Sequence, residues 1–207
     1  IQRPLEGMLV LDLGQIYNGP YCGLQLGFMG ARVLKIEPPE GDVVRRRKRE
    51  VEPWPLVMLN SNKESVVLDL KQPRGKEIFL ELVAQADVLI ENFAAGVMDR
   101  LGIGWDVLSK LNPRLVYGGS SGFGLDGPYR DLPAMDVTVQ AMSGITNATG
   151  DADGPPTKAG AAVCDFLAGI HLCAGILGAL VQRERTGKGQ RVEVAMHEAA
   201  VTSLASA

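Results

Sequence analysis

The segment MLVLDLGQIYNGPYCGLQLGFMGARVLKIE, residues 8–37, decides the fold of this chain. Residues 8–13 are apolar, end at a glycine and are typical of a strand. The segment that follows carries three apolar residues at helical spacing, Leu24, Phe28 and Met29. Residues 32–37 form a second apolar run that two prolines stop. Strand, helix and strand in this order are the unit of a parallel sheet with right-handed crossovers.

The same pattern recurs through most of the chain. Further strands are predicted at residues 65–70, 87–91, 114–118 and 191–195. Helices are predicted at residues 75–84, 97–101 and 105–111 and, in a long stretch of small residues, at 165–185. The chain is therefore predicted to have an α/β fold, with a doubly wound, mostly parallel sheet flanked by helices.

The composition is that of a chain that can bury a core and carries little net charge. Of its 207 residues 46% are hydrophobic, and the formal net charge is −3. A nucleic-acid interface usually needs a marked positive excess, so no nucleic-acid partner is expected. The three cysteines, Cys22, Cys164 and Cys173, are an odd number without metal-ligand spacing. We therefore expect no metal site, no disulfide framework and a reducing, cytoplasmic location.

No membrane segment and no secretory signal are expected. The most apolar run, residues 166–181, is interrupted by three glycines and by His171, whereas a membrane span needs about 20 apolar residues in succession. His171 is predicted to be a core residue of the long helix, and His197 has no evident partner.

Ligand contacts are expected where the strands end, because open α/β sheets bind ligands in the crevice beyond the carboxyl ends of their strands. The segments that follow the strands are residues 15–19, 37–42, 70–71, 92–93 and 118–124. Pro20 suits the first turn of a helix whose exposed amides attract anions. Residues 45–49, Arg-Arg-Arg-Lys-Arg, are the densest charge cluster. Such a cluster is usually a solvated face, and the alternative is a landing site for a ligand with several phosphates.

One segment of the chain matches a motif of the α/β-hydrolases. Residues 118–122, Gly-Gly-Ser-Ser-Gly, match the G-x-S-x-G elbow of the α/β-hydrolases, and Ser120, Asp165 and His197 follow in the corresponding chain order. That elbow requires a helix directly after the serine. Three glycines and a proline lie within the next eight residues instead, and a helix does not begin well there. The hydrolase interpretation is therefore disfavoured.

Asp165 is the acid whose surroundings indicate a special role. It follows the apolar stretch 159–164 and precedes Phe166 and Leu167. A carboxylate in such surroundings either caps the following helix, which is the default interpretation, or is held for chemistry. The two roles are compatible, because amides at a helix start also stabilise negative charge that develops on an attacked carbonyl.

Short motifs in a fixed order give the chain a resemblance to a known family. They lie at residues 4–7, 10–13, 19–22, 30–37, 62–65, 68–71, 86–93, 99–102, 122–124, 187–190 and 195–196. This set resembles the class III CoA-transferases (CaiB/BaiF type), which include formyl-CoA transferase, carnitine CoA-transferase and α-methylacyl-CoA racemase. The resemblance implies that residues 1–207 form a Rossmann-like, CoA-binding large domain, the N-terminal part of a longer subunit whose small domain lies outside this sequence.

The resemblance also implies that Asp165 is the catalytic nucleophile. In the family this aspartate attacks an acyl-CoA thioester and forms a mixed anhydride and free CoA thiolate. The thiolate then attacks the enzyme's acyl group to give an aspartyl-CoA thioester, and an acceptor carboxylate completes the exchange. The implied partners are therefore acyl-CoA and a carboxylic acid, with no permanently bound cofactor. Because an anhydride hydrolyses readily, the site must exclude water.

By the same matching, CoA is expected to lie against residues at several strand ends. These are Tyr17, Asn18, Leu68, Asp69, Leu70, Lys71, Asn92, Phe93, Ala94, Arg100, Met135 and Asp136, the last two within the segment 133–136. Lys71 and Arg100 are the expected phosphate partners. Asp136 is expected to lie near Asp165 as a second acid that shapes the site.

Two departures from the family pattern bear on the function. Met135 stands where the racemases carry a histidine base, so CoA transfer is favoured over proton exchange. Pro38 stands where some relatives place a CoA-contacting arginine, and residues 45–49 are expected to replace that contact. A homodimer is expected, since relatives form interlocked pairs. Two alternatives stay open: a racemase-like isomerase, and a truncated, non-catalytic CoA-binding module.

Overall fold

Six parallel strands form one sheet, with helices on both of its faces. The computed structural model describes residues 2–46 and 53–206. The strands are β1 Leu9–Asp12, β2 Arg32–Glu37, β3 Glu64–Val67, β4 Val88–Glu91, β5 Val116–Ser121 and β6 Arg191–Ala195. The helices are α1 Asn18–Phe28, α2 Val43–Arg46, α3 Trp54–Asn60, α4 Pro73–Val83, α5 Val97–Arg100, α6 Trp105–Leu111, α7 Asp136–Ser143, α8 Val163–Thr186 and α9 Met196–Thr202.

The strand order confirms the predicted doubly wound α/β fold. From one edge of the sheet to the other the order is β3-β2-β1-β4-β5-β6, and each neighbouring pair is parallel. Strands β2 and β3 are added on one side of β1, and β4, β5 and β6 are then added on its other side. The reversal leaves a crevice between the loops that follow β1 and β4, which is where such folds bind their ligands.

Alternating side chains on the strands build a separate core on each face of the sheet. On one face Val10 of β1 and Ile90 of β4 pack with residues of α1 and α8, such as Ile176. On the other face Leu11 and Leu89 pack with Phe79 and other residues of α4, α5 and α6. The central strands are therefore buried on both sides, which explains their continuous apolar runs.

A third apolar cluster lies beneath the first turn of α8. It joins Val139 of α7, Cys164 and Ala168 of α8 and Met196 and Ala200 of α9. These packed side chains hold the first turns of α7 and α8 together, which matters because both turns carry acids.

Strand β5 continues to Ser121, although it was predicted to end at residue 118 and to enter a glycine-rich loop. Gly118 pairs with Ile90 of β4 and with Val192 of β6. A Cβ atom at Gly118 would lie 2.6 Å from Cδ1 of Ile176. The absence of a side chain here lets α8 pack closely on the sheet. Strand β3 is shorter than predicted, because it ends at Val67 and not at residue 70.

His171, which was predicted to be a core residue, is exposed. Phe28, one of the three apolar residues at helical spacing, is also 63% exposed at the end of α1. His171 lies on the exposed side of α8, where its Nδ1 atom is 2.8 Å from the carbonyl oxygen of Leu167. Helix α8 buries Leu172 and Cys173 instead, and this choice of face depends on the packing of α8 against α1 and the sheet.

Helix α8 corrects the expectation that no segment reaches the length of a membrane span. Its 24 residues, Val163–Thr186, are long and apolar enough by length and composition. Length and hydropathy alone are weak evidence for a membrane span, because the core helix of a soluble protein meets the same criteria. Here the helix packs on α1, β5 and β6, and its Asp165 and Arg183 are buried.

A buried ion pair supports the loop after β1. Nζ of Lys63 donates to Oδ2 of Asp12 at 2.6 Å and to the carbonyl oxygen of Pro20 at 2.7 Å. The other carboxylate oxygen of Asp12 accepts from the amide of Gly14 at 2.7 Å. Both charged side chains are almost fully buried. Asp12 therefore holds the start of the loop after β1, and Lys63 holds the first turn of α1.

Candidate active site

A cleft of about 420 Å³ lies at the carboxyl ends of β1, β4 and β5. Its walls come from the strand ends and the segments that follow them, at residues 15–18, 92–95 and 120–122, and from residues 130 and 132–137. Asp165 of α8 and Met196 of α9 complete the lining. The cleft thus occupies the crevice that the reversal of strand order creates.

Asn92 ties together the two loops that meet at this reversal. Its Oδ1 atom accepts from the amide of Gln15 at 2.7 Å, and its Nδ2 atom donates to the carbonyl oxygen of Gln15 at 2.9 Å. The next residue, Ile16, has a φ of 66°, which is rare for a β-branched residue. The surrounding contacts hold this strained turn in place, as is common at ligand sites.

Asp165 is a buried carboxyl group that faces the cleft. It is the third residue of α8 and is 9% exposed. Burial, together with the nearby charge of Asp136, raises the pKa of Asp165 to about 7. Near neutral pH this side chain therefore exists in both protonation states, and its ionised form carries the charge that nucleophilic attack requires.

Asp136 caps the helix that carries Asp165. Its Oδ1 atom accepts from the amides of Cys164 at 2.8 Å and of Asp165 at 3.2 Å. The prediction that Asp165 caps its own helix is therefore wrong, because α8 begins two residues earlier and a distant acid fills that role. Two amides that were expected to stabilise an attacked carbonyl are thus already engaged by Asp136.

Gln140 orients Asp136, a role that the sequence did not reveal. It lies one turn later on α7 and is 1% exposed. Its Nε2 atom donates to Oδ2 of Asp136 at 2.6 Å and to the carbonyl oxygen of Ala161 at 3.2 Å. Its Oε1 atom accepts from the amide of Ala159 at 2.8 Å. The i, i+4 spacing of an acid and an amide on a helix was the available signal.

The first turn of α1 packs against the first turns of α8. The ring of Tyr17 stacks on Phe166 with centroids 6.4 Å apart, and Tyr21 meets the same ring edge-on at 4.8 Å. A Cβ atom at Gly169 would lie 2.7 Å from the carbonyl oxygen of Asn18. This close approach brings Asn18 to within about one helical turn of Asp165.

A second buried acid, Glu91, lies behind the wall of the cleft. Its carboxylate accepts from the amide of Phe93 at 2.8 Å and from the hydroxyl of Tyr117 at 3.2 Å. Burial raises the pKa of Glu91 to about 7 and raises the pKa of Tyr117 as well. Sequence reasoning missed this acid, because a glutamate at the end of a strand gives no sign of its burial.

The structure brings together most of the residues that were predicted to contact CoA. Those that line the cleft with Asp165 are Tyr17, Asn18, Asn92, Phe93, Ala94, Met135 and Asp136. The remaining predicted residues, Leu68, Asp69, Leu70, Lys71 and Arg100, lie outside its lining. Lys71 and Arg100 are exposed, so contact of either one with phosphate stays a prediction.

The basic cluster at residues 45–49 is described only in part. Arg45 donates to both carboxylate oxygens of Glu37, at 2.8 and 3.0 Å, and Arg46 is exposed at the end of α2. Residues 47–49 lie outside the described residues. The replacement of the contact at Pro38 by this cluster therefore stays a prediction.

The hydrolase arrangement is not formed. Ser120 lies within β5, and in the described chain no helix follows it before α7 begins at Asp136. Its Oγ atom accepts from Nδ2 of Asn18 at 3.2 Å. The ring of His197 packs against Phe123. Over residues 2–46 and 53–206, no group of three histidine, cysteine or acidic side chains is placed to hold a metal ion.

Comparisons with known proteins show the family and the fold. The sequence matches the model of a family described as CoA-transferase family III over residues 5–207. It is 48% identical over 200 residues to the formyl-CoA:oxalate CoA-transferase of Streptomyces avermitilis, and this match covers 95% of this chain and 49% of that protein. It is 48% identical over 205 residues to the acetyl-CoA:oxalate CoA-transferase of Acetobacter aceti, and this match covers 97% of this chain and 53% of that protein.

A solved structure shares the fold. The crystal structure of a CaiB/BaiF family protein from Brucella suis superposes with a TM-score of 0.94 at 37% identity. The match covers 99% of this chain and 56% of that one. The chain thus spans about half the length of the curated relatives that it matches.

Proposed function

This chain belongs to CoA-transferase family III, and we propose that it binds acyl-CoA and moves the CoA group to a carboxylic acid, with Asp165 as the nucleophile. The observation that carries the proposal is the position of Asp165, a buried carboxyl group at the edge of a cleft beyond the strand ends. A raised pKa near 7 and a neighbouring acid distinguish Asp165 from a simple surface cap.

The proposed reaction begins with attack on the thioester. A carboxylate oxygen of Asp165 adds to the acyl carbonyl, the C–S bond breaks, and CoA leaves as a thiolate. The resulting mixed anhydride keeps the energy of the thioester. The thiolate then attacks the aspartyl carbonyl and releases the donor acid, which leaves an aspartyl-CoA thioester. The acceptor carboxylate attacks the aspartyl carbonyl of this thioester, the C–S bond breaks, and a second mixed anhydride and free thiolate form. The thiolate then attacks the acceptor's carbonyl, which gives the product thioester and releases Asp165 as a carboxylate.

The low exposure of Asp165 supports a covalent route. An anhydride in contact with bulk water would hydrolyse before the acceptor reacted. Phe166 covers this turn of α8, with Tyr17 and Tyr21 packed on its ring. The charge of Asp136 also disfavours the ionised form of Asp165, so that neutralisation on acylation relieves a repulsion between two neighbouring acids.

For CoA we propose a path that runs along the carboxyl ends of the strands. The pantetheine arm enters the cleft past Tyr17 and Phe93, which both line it. The phosphates lie outside, where Lys71 and Arg100 are exposed. The segment Leu68 to Leu70 directly follows β3, and we propose that it borders this path.

Oxalate is the acceptor that we propose to test first. Two relatives that are 48% identical to this chain are named for oxalate, one with formyl-CoA and one with acetyl-CoA as the donor. Formyl-CoA and acetyl-CoA are therefore the first donors to compare.

We further propose a cytoplasmic homodimer. The three cysteines are free and buried, which suits a reducing compartment. An apolar depression beside α8, lined in part by Ile145, Leu167, Ile170 and Leu204, would be covered in a dimer. Sedimentation equilibrium tests this assembly, and a monomer at micromolar concentration would contradict it.

Trapping of the acyl-enzyme tests the proposed chemistry. The protein is incubated with acetyl-CoA or formyl-CoA and then with hydroxylamine, and the peptides are mapped by mass spectrometry. We expect a hydroxamate on Asp165 that is lost in Asp165→Asn. Asp151→Asn, which changes an exposed acid in a surface turn, serves as the matched control and should keep the label. Binding of CoA without any label would instead support the non-catalytic module.

A further inference from the structure

Arg130 is the only positively charged residue in the lining of the cleft, within the part of the chain that the structure describes. Two acids, Asp136 and Asp165, share that lining. The acceptor of the proposed reaction is an anion, and like charges repel, so the two carboxylates oppose its entry whenever they are ionised. A fixed cation in the same cleft offsets this repulsion and attracts the acceptor.

The guanidinium of Arg130 has most of its hydrogen-bonding capacity free. Its one ion pair in residues 2–46 and 53–206 is with Asp131, with Nε 3.5 Å from Oδ1. The side chain of Asp131 is 85% exposed, and an exposed pair of this kind contributes little to stability. A guanidinium has five N–H donors. Exchange of this weak pair for a bound carboxylate therefore costs little.

Aromatic packing holds the turn that carries Arg130. The rings of Tyr129 and Phe123 meet edge-on with centroids 5.9 Å apart, and Phe123 packs in turn against His197 of α9, also at 5.9 Å. The amide of Leu132 donates to the carbonyl oxygen of Tyr129 at 2.9 Å. The backbone that carries the guanidinium is thus held before any ligand binds, which lowers the entropic cost of binding.

The chemistry of the reaction decides which anion suits Arg130. The carboxylate that reacts must reach Asp165, which is 9% exposed, whereas the side chain of Arg130 is 47% exposed and lies nearer the mouth of the cleft. A carboxylate that a guanidinium holds through two N–H···O bonds has lone pairs engaged and is a poor nucleophile. One carboxylate therefore does not serve both positions, whereas an acid with two carboxylates does.

We propose that Arg130 binds the carboxylate of the acceptor that does not react, and thereby selects dicarboxylic acids. This inference rests on the proposed function, because the aspartyl-CoA thioester at Asp165 supplies the group that is attacked. One carboxylate of the acceptor adds to the aspartyl carbonyl and the C–S bond breaks, while the other keeps its charge and its pairing with the guanidinium. Arg130 thus orients the acceptor without taking part in bond formation.

Binding of three acids tests this role without any need for turnover. Isothermal titration at about pH 6.5, where most of Asp165 is protonated and uncharged, gives the Kd of oxalate, succinate and acetate. We expect the unmodified protein to bind at least one of the two dicarboxylates more tightly than acetate. Arg130→Gln should raise the Kd of that dicarboxylate by about 10- to 100-fold, because charge-assisted hydrogen bonds are lost, and the Kd of acetate by less than about threefold. Arg130→Lys keeps the charge but not the bidentate geometry, so its Kd for the dicarboxylate should lie in between.

Two controls separate this role from general effects of charge. Arg74→Gln removes an exposed arginine outside the lining of the cleft, and it should leave the Kd of all three acids unchanged. The Kd of CoA should change by less than about twofold in Arg130→Gln. The inference is overturned if neither dicarboxylate binds more tightly than acetate, if Arg130→Gln leaves the Kd of the dicarboxylate unchanged, if the losses for dicarboxylate and acetate are equal, or if the loss for CoA is the larger. Failure of the proposed function is a separate result, in which unmodified protein binds the dicarboxylate through Arg130 but gives no hydroxamate at Asp165.

Discussion

Asp136 and Asp165 are joined through the backbone: Oδ1 of Asp136 accepts hydrogen bonds from the amides of Cys164 and Asp165, at 2.8 and 3.2 Å. One acid therefore builds the helix start on which the other acid sits. The same proximity makes the charge of Asp136 a cause of the raised pKa of Asp165, second to burial. Asp136 thus fixes the helix start that carries the proposed nucleophile and adds to the effect of burial on its pKa.

The pH dependence of acylation should depend on Asp136. Because the ionised form of Asp165 attacks, the acylation rate should rise with pH through the pKa of about 7. Asp136→Asn keeps an oxygen for the two amides and removes the charge, so the pKa of Asp165 falls. We expect the rising limb of the rate profile to move to lower pH. Single-turnover acylation between pH 5 and 9 measures this, and an unmoved limb would argue against coupling of the two acids.

The free energy of unfolding should depend on pH through the titration of Glu91. Folding raises the pKa of Glu91 from 4.5 to about 7. The folded protein therefore binds this proton more tightly, and the stabilisation is full below about pH 4.5 and is lost as the pH rises to about 7. The loss amounts to about 3 kcal/mol for such a pKa difference.

Glu91→Gln removes this titration and keeps the shape of the side chain. Urea unfolding at several values between pH 4.5 and 7.5 should show a free energy of unfolding that falls more steeply with pH in the unmodified protein than in the variant. Asp165 contributes a slope of the same sign in both proteins. Parallel curves for the two proteins would show that folding does not raise the pKa of Glu91.

Two glycines of α8 should respond in opposite ways to alanine. At Gly169 a Cβ atom would lie 2.7 Å from the carbonyl oxygen of Asn18, and at Gly178 it would meet nothing within 4 Å. Gly178→Ala should stabilise the protein by about 0.5–1 kcal/mol through helix propensity alone. Gly169→Ala should destabilise it by about 1–3 kcal/mol and push α1 away from α8.

Thermal melts of the two alanine variants give these stabilities, and the acylation rate gives the effect on the site. We expect Gly169→Ala to slow acylation, since Asn18 and Tyr17 move with α1, and Gly178→Ala to leave the rate unchanged. Equal effects of the two substitutions on stability would mean that α1 and α8 are not in close contact.

Much of the site could be predicted because it depends on strand ends. The apolar runs identified β1, β2 and β4, and the loops that follow β1 and β4 contain Tyr17, Asn18, Asn92 and Phe93, all of which line the cleft. The partners of these residues could not be predicted in this way. The hydrogen bonds between Asn92 and Gln15 join residues 77 positions apart, and no local pattern encodes such a pair.

The sequence by itself determined the parallel α/β sheet and the family, because apolar runs, turn residues and short motifs can be recognised along the chain. It also made Asp165 the candidate nucleophile, through the resemblance to the family. Only the tertiary structure decided that Asp136 caps α8, that Gln140 holds Asp136, and that Glu91 is buried. The physical reason is that burial and charge proximity depend on which distant segments pack together. A carboxylate has its ordinary pKa in an isolated strand or helix, and only the packed protein removes its water and places a second acid beside it.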